Sequence, residues 1–414
     1  MTRDVWTLNP GLSFERSGGE NSSGLEFEEL NLLGYGTQLE LALQSSVDRD
    51  SASVLLRDAQ LFDTWWGGTF LYADNSDGET QQIVLDHPFY ALDTRSAGGL
   101  LALSDDRIDS LYDLGEVVDE FRTRQDTATI YVGYSRGLRS GWSRRWTSGV
   151  TYDSRDFSAA PESAHAGFVP ADRLLVYPWI GYEIVEDRFE TTRNRDQIER
   201  TEDVALGWRA RLQLGWSSEE WGADRSALVF SGYASKGYEP AEQSRFLLDA
   251  TLQGRLEDGT VRGTILGVGA RFYLRQSANR LLFTALESHI GSNLDPETQI
   301  LLGGDNGLRG YPLRYQGGQG RWLATLEQRY FSNWYPFRLF NVGGAVFADV
   351  GATWGENPHG TPSQGVLKDV GFGLRIGNAR SGLGNMLHVD VAFPLDGDPN
   401  IDSVQLLIET KAGF

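Results

Sequence analysis

Hydrophobic and polar residues alternate with a period of two in many segments of the chain. In the clearest segment, 204–216, the even-numbered positions carry Val, Leu, Trp and Ala, whereas the odd-numbered positions carry Gly, Arg, Gln and a single Ala. A helix would scatter both sets around its circumference, but a strand separates them onto two faces. The same alternation recurs at 38–44, 129–135 and 370–377. The pattern therefore predicts an all-β chain.

Several segments sustain the alternation for about ten residues or more, which is the length of a tilted strand that crosses a membrane. Strands of soluble sandwiches average roughly five or six residues. Trp208 and Trp216 lie on the apolar face of the clearest segment, as in the aromatic girdles of lipid-facing strands. We therefore expect a transmembrane antiparallel β-barrel of the bacterial outer membrane, with a large soluble sandwich as the alternative.

The connections and the strand count bear on the organisation of the barrel. Asp258-Gly259 predicts a tight turn, whereas 157–172 and 194–202 are long and polar. Short turns at one end and long loops at the other are typical of outer-membrane barrels. We count 16 to 20 strand-like segments, with 97–124 ambiguous because it mixes charges and turns. No linker interrupts the chain, so we expect one domain over 1–414.

Composition narrows the class of protein further. No apolar run approaches the roughly 18 residues of a transmembrane helix, and the mean hydropathy is −0.35. The N-terminus has no apolar segment typical of a signal peptide, so we expect a mature or trimmed form of an exported chain. The formal net charge of −20 leaves no basic excess to neutralise phosphates, so we expect no nucleic-acid partner.

The sequence lacks the residue patterns of common catalytic and metal sites. There is no Cys, which excludes disulfides, thiolate metal sites and a cysteine nucleophile. The five His residues have no metal-ligand spacing, and neither a nucleophile elbow nor a phosphate-binding loop is present. We therefore expect no enzyme activity, no cofactor and no metal.

The last third of the chain contains a series of motifs in a fixed order. An Arg309-Gly310-Tyr311 tripeptide in a glycine-rich loop comes first, then a strand with Glu327, and then Phe347-x-Asp349-x-Gly. The chain ends in Phe414. This order resembles the bacterial surface antigen superfamily, which includes outer-membrane protein insertases, two-partner secretion transporters and their organellar relatives. The resemblance is strongest over 300–414 and extends to an early hairpin connection at 31–36.

The alternation places two of these motif residues on the predicted inner wall. Val342, Val346 and Val350 face outward, so Phe347 and Asp349 face inward. Glu327 faces inward on the preceding strand, and the two carboxylates would share one patch of wall and need a cation. Arg309 is the candidate cation. From the residues alone, a solvated Arg309 and ordinary lumen carboxylates remain the alternative.

The resemblance implies a more specific arrangement. It implies 16 strands and a long loop, 291–320, that folds back into the lumen. The implied contact between loop and wall involves Arg309, Gly310, Tyr311, Glu327, Phe347 and Asp349. It also implies a weak seam between a first strand near 6–15, which contains Pro10, and a last strand at 403–414. The terminal Phe414 resembles the insertion signal of outer-membrane barrels.

The function implied by the resemblance is assembly of proteins into the outer membrane, or their translocation or secretion across it, without ATP. The expected partners are outer-membrane lipids, an unfolded or exported client protein, and periplasmic chaperones or accessory modules. Alternation begins by about Trp6, so we expect no periplasmic soluble module within this sequence. A passive outer-membrane channel and an anchor that exports a fused passenger remain alternatives.

Overall fold

The computed structural model describes residues 7–160, 165, 167–378, 386–397, 399 and 401–411. The described residues form β1 (Leu8–Ser17), β2 (Glu20–Leu32), β3 (Thr37–Ser45), β4 (Asp50–Asp58), β5 (Gly67–Asn75), β6 (Gly78–His87), β7 (Ser96–Asp113), β8 (Glu116–Arg139), β9 (Trp142–Ala159), β10 (Arg173–Glu186), β11 (Phe189–Arg193), β12 (Thr201–Ala205), β13 (Arg209–Ser217), β14 (Ala227–Ala241), β15 (Ser244–Glu257), β16 (Thr260–Ser277), β17 (Arg280–Ser292), β18 (Ile300–Leu302), β19 (Gln316–Gly318), β20 (Gly320–Phe331), β21 (Phe340–Trp354), β22 (Leu367–Asn378), β23 (Met386–Pro394) and β24 (Gln405–Lys411). Short 3₁₀ helices lie at Leu61–Asp63, Glu219–Trp221, Gly304–Asn306 and Pro336–Arg338. No helix among the described residues is long and apolar enough to cross a membrane.

A 20-stranded antiparallel sheet closes on itself. β10 pairs with β13, β17 pairs with β20, and β24 pairs with β1. The pairs β11–β12 and β18–β19 form separate two-stranded sheets within the connections. We call the end at which β1 starts and β24 finishes the terminal end, and the other the loop end. The predicted all-β, closed antiparallel barrel is confirmed.

The register gives the sheet one apolar and one polar face. Leu326 pairs with Ala348, and Val346 pairs with Phe372. Val346 is 63% exposed and Phe372 is 54% exposed, so this face points outward. A shift of one residue in any strand would exchange its two faces. The consistent register therefore gives the closed sheet the apolar outer surface that a lipid-facing barrel requires.

The expectation of 16 strands is wrong, because the sheet contains 20. That number came from the resemblance, which is strongest over 300–414 and includes only β20 to β24 of the barrel sheet. The motifs therefore carry no information about the number of strands before them. The ambiguous segment 97–124 forms most of β7 and the start of β8, joined by Leu114-Gly115. At 18 and 24 residues, these strands exceed a spanning length, and their distal parts carry many charged residues beside the buried Leu111 and Phe121.

The expectation that 204–216 forms one lipid-facing strand is also wrong. The chain leaves the β11–β12 hairpin after Ala205 and enters the barrel sheet at Arg209. Val204 is 5% exposed and Leu206 is 2% exposed, so neither faces lipid. Leu206 packs instead against the backbone of Gly237. A period of two predicts extended backbone, but it does not indicate which sheet the segment joins.

Short and long connections occur at both ends, contrary to the expectation. The predicted turn at Asp258-Gly259 joins β15 to β16 at the loop end. The loop end also carries the long connections 160–172, 293–319 and 355–366. The terminal end combines two-residue turns with the hairpin connection 187–208. Connections at both ends are therefore long enough to reach into the interior.

Candidate functional site

Arg309, at the tip of the segment 293–319, contacts two carboxylates of the neighbouring strands. Its Nε donates to Asp349 Oδ2 at 2.7 Å, and a terminal nitrogen donates to Asp349 Oδ1 at 3.0 Å. The other terminal nitrogen donates to Glu327 Oε2 at 3.1 Å. Such a two-pronged contact depends on the planar fork of arginine, which lysine lacks. We call Arg309, Glu327, Phe347 and Asp349 the Arg309 cluster.

The ring of Phe347 completes this cluster. The guanidinium carbon of Arg309 lies 3.3 Å from the centre of that ring, in a cation–π contact. Arg309 is 7% exposed and Asp349 is fully buried. β20 and β21 pair so that Glu327 lies opposite Phe347. Adjacent strands thus hold a ring and two carboxylates at the positions that one guanidinium can contact together.

Gly310 and Tyr311 attach the same tip to the start of β22. The Gly310 N–H donates to Asp369 Oδ2 at 3.0 Å. A Cβ at Gly310 would lie 2.6 Å from the Cβ of Asp369, so no larger residue fits there without a shift. The Tyr311 hydroxyl lies 2.9 Å from the carbonyl oxygens of both Lys368 and Asp396. Burial raises the pKa of Tyr311 to about 12, so the hydroxyl remains a hydrogen-bond donor at neutral pH.

The sequence did not identify all the charges around this cluster. Arg375 on β22 forms an ion pair with Asp390 on β23, and Asp390 also lies 3.6 Å from Arg309. Arg329 donates to the second oxygen of Glu327 at 2.9 Å. Three arginines thus surround three carboxylates, and all six residues are buried. Inward-facing charged positions on β22 and β23 were the available signal for the Arg375–Asp390 pair.

Apolar contacts support the loop around the charges. Leu302 and Leu308 are fully buried, and the cluster they form consists of Leu302, Leu308, Tyr311, Tyr315, Leu323 and Leu367. Full burial of a leucine side chain contributes roughly 1.5–3 kcal/mol. These buried apolar contacts therefore help to hold the charged tip of the loop against the wall.

The same loop contacts distant parts of the rim at the loop end. Arg314 forms a two-pronged ion pair with Asp48, with both distances at 2.7 Å. The Asp48 pKa is lowered, chiefly by this hydrogen bond from Arg314. Asp295 lies 2.6 Å from Arg255 on β15 and 3.2 Å from Arg173 on β10. The loop therefore bridges walls that are remote from each other in the sheet.

No family model matches the chain, and no curated protein matches it by sequence. Solved structures match it along nearly its whole length. BamA of Haemophilus ducreyi lacking POTRA domains 1–3 is 14% identical, with a TM-score of 0.42, over 98% of this chain and 70% of that one. CdiB of Escherichia coli is 11% identical, with a TM-score of 0.47, over 99% of this chain and 63% of that one. OpdQ of Pseudomonas aeruginosa is 9% identical, with a TM-score of 0.42, over 98% of this chain and 97% of that one.

The closed sheet with its apolar outer face decides the class of fold. The chain is a β-barrel of the outer-membrane type. BamA and CdiB belong to the superfamily that the motif region resembles. With identities of 14% or less and TM-scores below 0.5, these matches add no argument to that assignment, which rests on the sheet itself. This chain spans 63% of the length of the CdiB chain.

The seam of the barrel lies between β1 and β24. Within the described residues a single pair, Arg16 with Ile408, connects these strands. β1 pairs with β2 at every residue from Leu8 to Ser17, including Pro10. Each residue pair that is missing at the seam leaves backbone N–H and C=O groups without a partner strand, and the hydrocarbon of a membrane offers them no hydrogen bonds. The seam is thus the least extensively paired junction in the described part of the barrel.

Two further predictions concern the C-terminus and metal binding. Phe414, the predicted insertion signal, lies outside the described residues. The parts of the chain that the structure describes contain no group of three or more His, Asp or Glu residues that could hold a metal ion.

Proposed function

We propose that this barrel assembles proteins into the bacterial outer membrane, or translocates them across it, without ATP. The observation that carries the proposal is the Arg309 cluster. A buried arginine fixes the tip of a long loop to inward-facing carboxylates of β20 and β21. This arrangement suits a loop that rests within the lumen and closes the barrel to free diffusion.

The roles of the charged residues follow from their contacts. Arg309 donates to both Glu327 and Asp349, and Asp349 also accepts from the Thr325 hydroxyl. A group engaged in this way stabilises a conformation and presents no free nucleophile or base. We infer that these residues hold the loop rather than catalyse a reaction.

The seam provides the second support for the proposal. One residue pair joins β1 to β24 in the described chain, so the two edges can separate at less cost than any fully paired junction. Separated edges expose N–H and C=O groups, onto which a strand of an incoming protein could pair. The proposed partners are therefore outer-membrane lipids and an unfolded client protein, delivered by periplasmic chaperones or accessory modules.

A disulfide across the seam tests the proposal. Arg16 and Ile408 are direct antiparallel partners, and such pairs have Cα separations of about 4.5–5.5 Å, within the range of a disulfide. The variant Arg16→Cys/Ile408→Cys closes the seam on oxidation. The matched control, Arg16→Cys/Asn21→Cys, joins β1 to its regular partner β2.

The assay uses liposomes that contain the purified barrel and an unfolded eight-stranded outer-membrane barrel as client. Insertion of the client is followed by its heat-dependent shift on gels. We expect the reduced seam variant to accelerate insertion and its oxidised form to lose this effect, whereas the control is active in both states. If no form accelerates insertion, assembly is excluded, and export of an extended polypeptide is measured with the same variants.

A selective channel is the second candidate. A cavity of about 610 Å³ lies against the inner wall between β6 and β13. Its lining combines the aromatic rings of Tyr131, Tyr177 and Trp179 with polar side chains such as Arg211 and Gln213. Aromatic faces beside hydrogen-bonding groups are typical of sites for small solutes. Ion conductance that is steady and equal in the oxidised and reduced seam variants would favour this function.

A further inference from the structure

A second segment reaches the interior, from the terminal end. The β11–β12 hairpin connects β10 to β13 and belongs to neither neighbour's sheet. Ile198 lies in the turn of this hairpin and is 3% exposed. It packs against the inward side chains Tyr273, Leu281, Phe331 and Met386. These four residues come from different strands of the wall, near the terminal end of each. The turn of the hairpin is therefore seated inside the barrel.

Polar contacts hold the hairpin turn in the same position. Arg275 donates to the carbonyl oxygen of Arg193 at 2.9 Å and also to that of Asn194. The Asn341 side chain donates to the Ile198 carbonyl oxygen at 3.2 Å. These partners extend from β16 to β21, so the hairpin crosses a large part of the wall and narrows the opening there.

The hairpin and the long loop meet at one shared ion pair. Arg329 donates to Asp196 Oδ1 at 3.0 Å and to the Arg195 carbonyl oxygen at 2.9 Å, both in the hairpin. It also donates to Glu327 at 2.9 Å, and the other oxygen of Glu327 accepts from Arg309. A cavity of about 440 Å³ separates the two segments and is lined by residues of both.

We propose that the β11–β12 hairpin is a second lumen plug, coupled to the long loop through Glu327 and Arg329. Displacing the hairpin removes two acceptors from Arg329 and admits water to the shared pair. Ion pairs weaken steeply as water replaces a low-dielectric surrounding, so the hold on Arg309 weakens as well. The barrel is then closed at both ends at rest, and opening one end favours opening the other. This device is independent of whether the barrel inserts, secretes or conducts.

The chain offers a clean way to measure this coupling, because it contains no Cys. Ala285 faces inward on β17 between Arg271 and Thr325, which both line the 440 Å³ cavity. Ala285→Cys therefore reports access to the space between the two plugs. Ser13→Cys, on the exposed inner face of β1, is the matched reporter away from both. The probe is a fluorescein maleimide applied to the barrel in nanodiscs.

The first variant removes the hairpin. Val185 and Arg209 are direct partners at the ends of β10 and β13, so 188–206 can be replaced by a short Asn-Gly turn. We expect labelling of Ala285→Cys to accelerate at least tenfold, whereas Ser13→Cys is unchanged. An unchanged rate at Ala285→Cys in a folded barrel would overturn the plug.

The second measurement tests the coupling in the full chain. Asp196→Asn removes the charge of the hairpin side chain that accepts from Arg329 and leaves the Arg195 carbonyl contact in place, and Arg309→Ala removes the loop's contact with Glu327. We expect their combined effect on Ala285→Cys labelling to differ at least fivefold from the product of the single effects. Glu190→Gln is the control, because Glu190 lies in the same hairpin but pairs with Arg245 on β15, away from the shared pair. Multiplicative effects for both combinations would overturn the coupling.

Discussion

Removal of Arg309 is the perturbation whose effect follows most directly from the structure. In Arg309→Ala, the fully buried Asp349 loses both hydrogen bonds from the guanidinium and keeps the one from the Thr325 hydroxyl at 2.8 Å. Glu327 keeps two cationic neighbours, because Arg329 and Arg375 remain close to it. The cost therefore falls mainly on Asp349. The loop has to move, or the carboxylate has to take up water or a proton.

The magnitude follows from the burial of this carboxylate. Breaking a buried ion pair from one side costs about 3–5 kcal/mol. Because about 1.4 kcal/mol corresponds to a factor of ten, release of the loop becomes roughly two to three and a half orders of magnitude more favourable. Arg309→Lys keeps the charge but loses the fork, so we expect it to fall between the parent and Arg309→Ala.

Maleimide labelling of Ala285→Cys measures this release, since the rate scales with the fraction of molecules whose loop is displaced. The double variant Arg309→Met/Asp349→Leu removes both charges and should return most of the protection, because no unpaired carboxylate remains. A rate within twofold of the parent in Arg309→Ala would refute the reasoning. So would a double variant that labels faster than Arg309→Ala alone.

Three further outcomes can be checked on the same barrel. The lowered pKa of Asp48 means that its pair with Arg314 stabilises the loop at neutral pH, and this stabilisation declines as the pH falls below about 4. The conductance difference between parent and Asp48→Asn in planar bilayers should therefore shrink progressively as the pH is lowered below that value. Gly310→Ala should speed Ala285→Cys labelling, because over-packing costs roughly 1–3 kcal/mol, whereas Gly232→Ala, where a Cβ meets nothing nearer than 3.6 Å, should not. Leu308→Ala should lower the temperature of loop release seen in labelling, because a buried Leu→Ala change costs about 2–5 kcal/mol, and an unchanged temperature would contradict the packing.

The sequence made parts of this site predictable for a physical reason. In a strand, a residue's face depends only on parity, so the inward positions of Glu327 and Asp349 could be assigned without coordinates. Their meeting with Arg309 could not be assigned in this way, because loops have no period. That expectation rested on the order of the motifs, which is a resemblance rather than a calculation.

The inner hairpin shows where parity misleads. Val204 and Leu206 continue the alternation of β13, and a lipid-facing strand and an inserted hairpin have the same period. Both residues are buried inside, where apolar side chains are as favourable as they are towards lipid. The Arg375–Asp390 pair was missed for a related reason: an inward charge predicts a wet wall, and only the folded sheet shows which charges meet.

The long hairpin of β7 and β8 projects beyond the neighbouring strand of the barrel sheet. β7 continues to Asp113, well past Asp106, the last of its residues to pair with β6, so it rises about 20 Å above that neighbour. Near its tip, the Gln299 side chain exchanges two hydrogen bonds with the Tyr112 backbone, and the Arg314 guanidinium lies over the Tyr112 ring. An antibody, a phage or a pulling probe that gripped this overhang would be mechanically joined to the loop inside. Force applied to this overhang thus reaches the Arg309 cluster through the loop that carries Gln299 and Arg314.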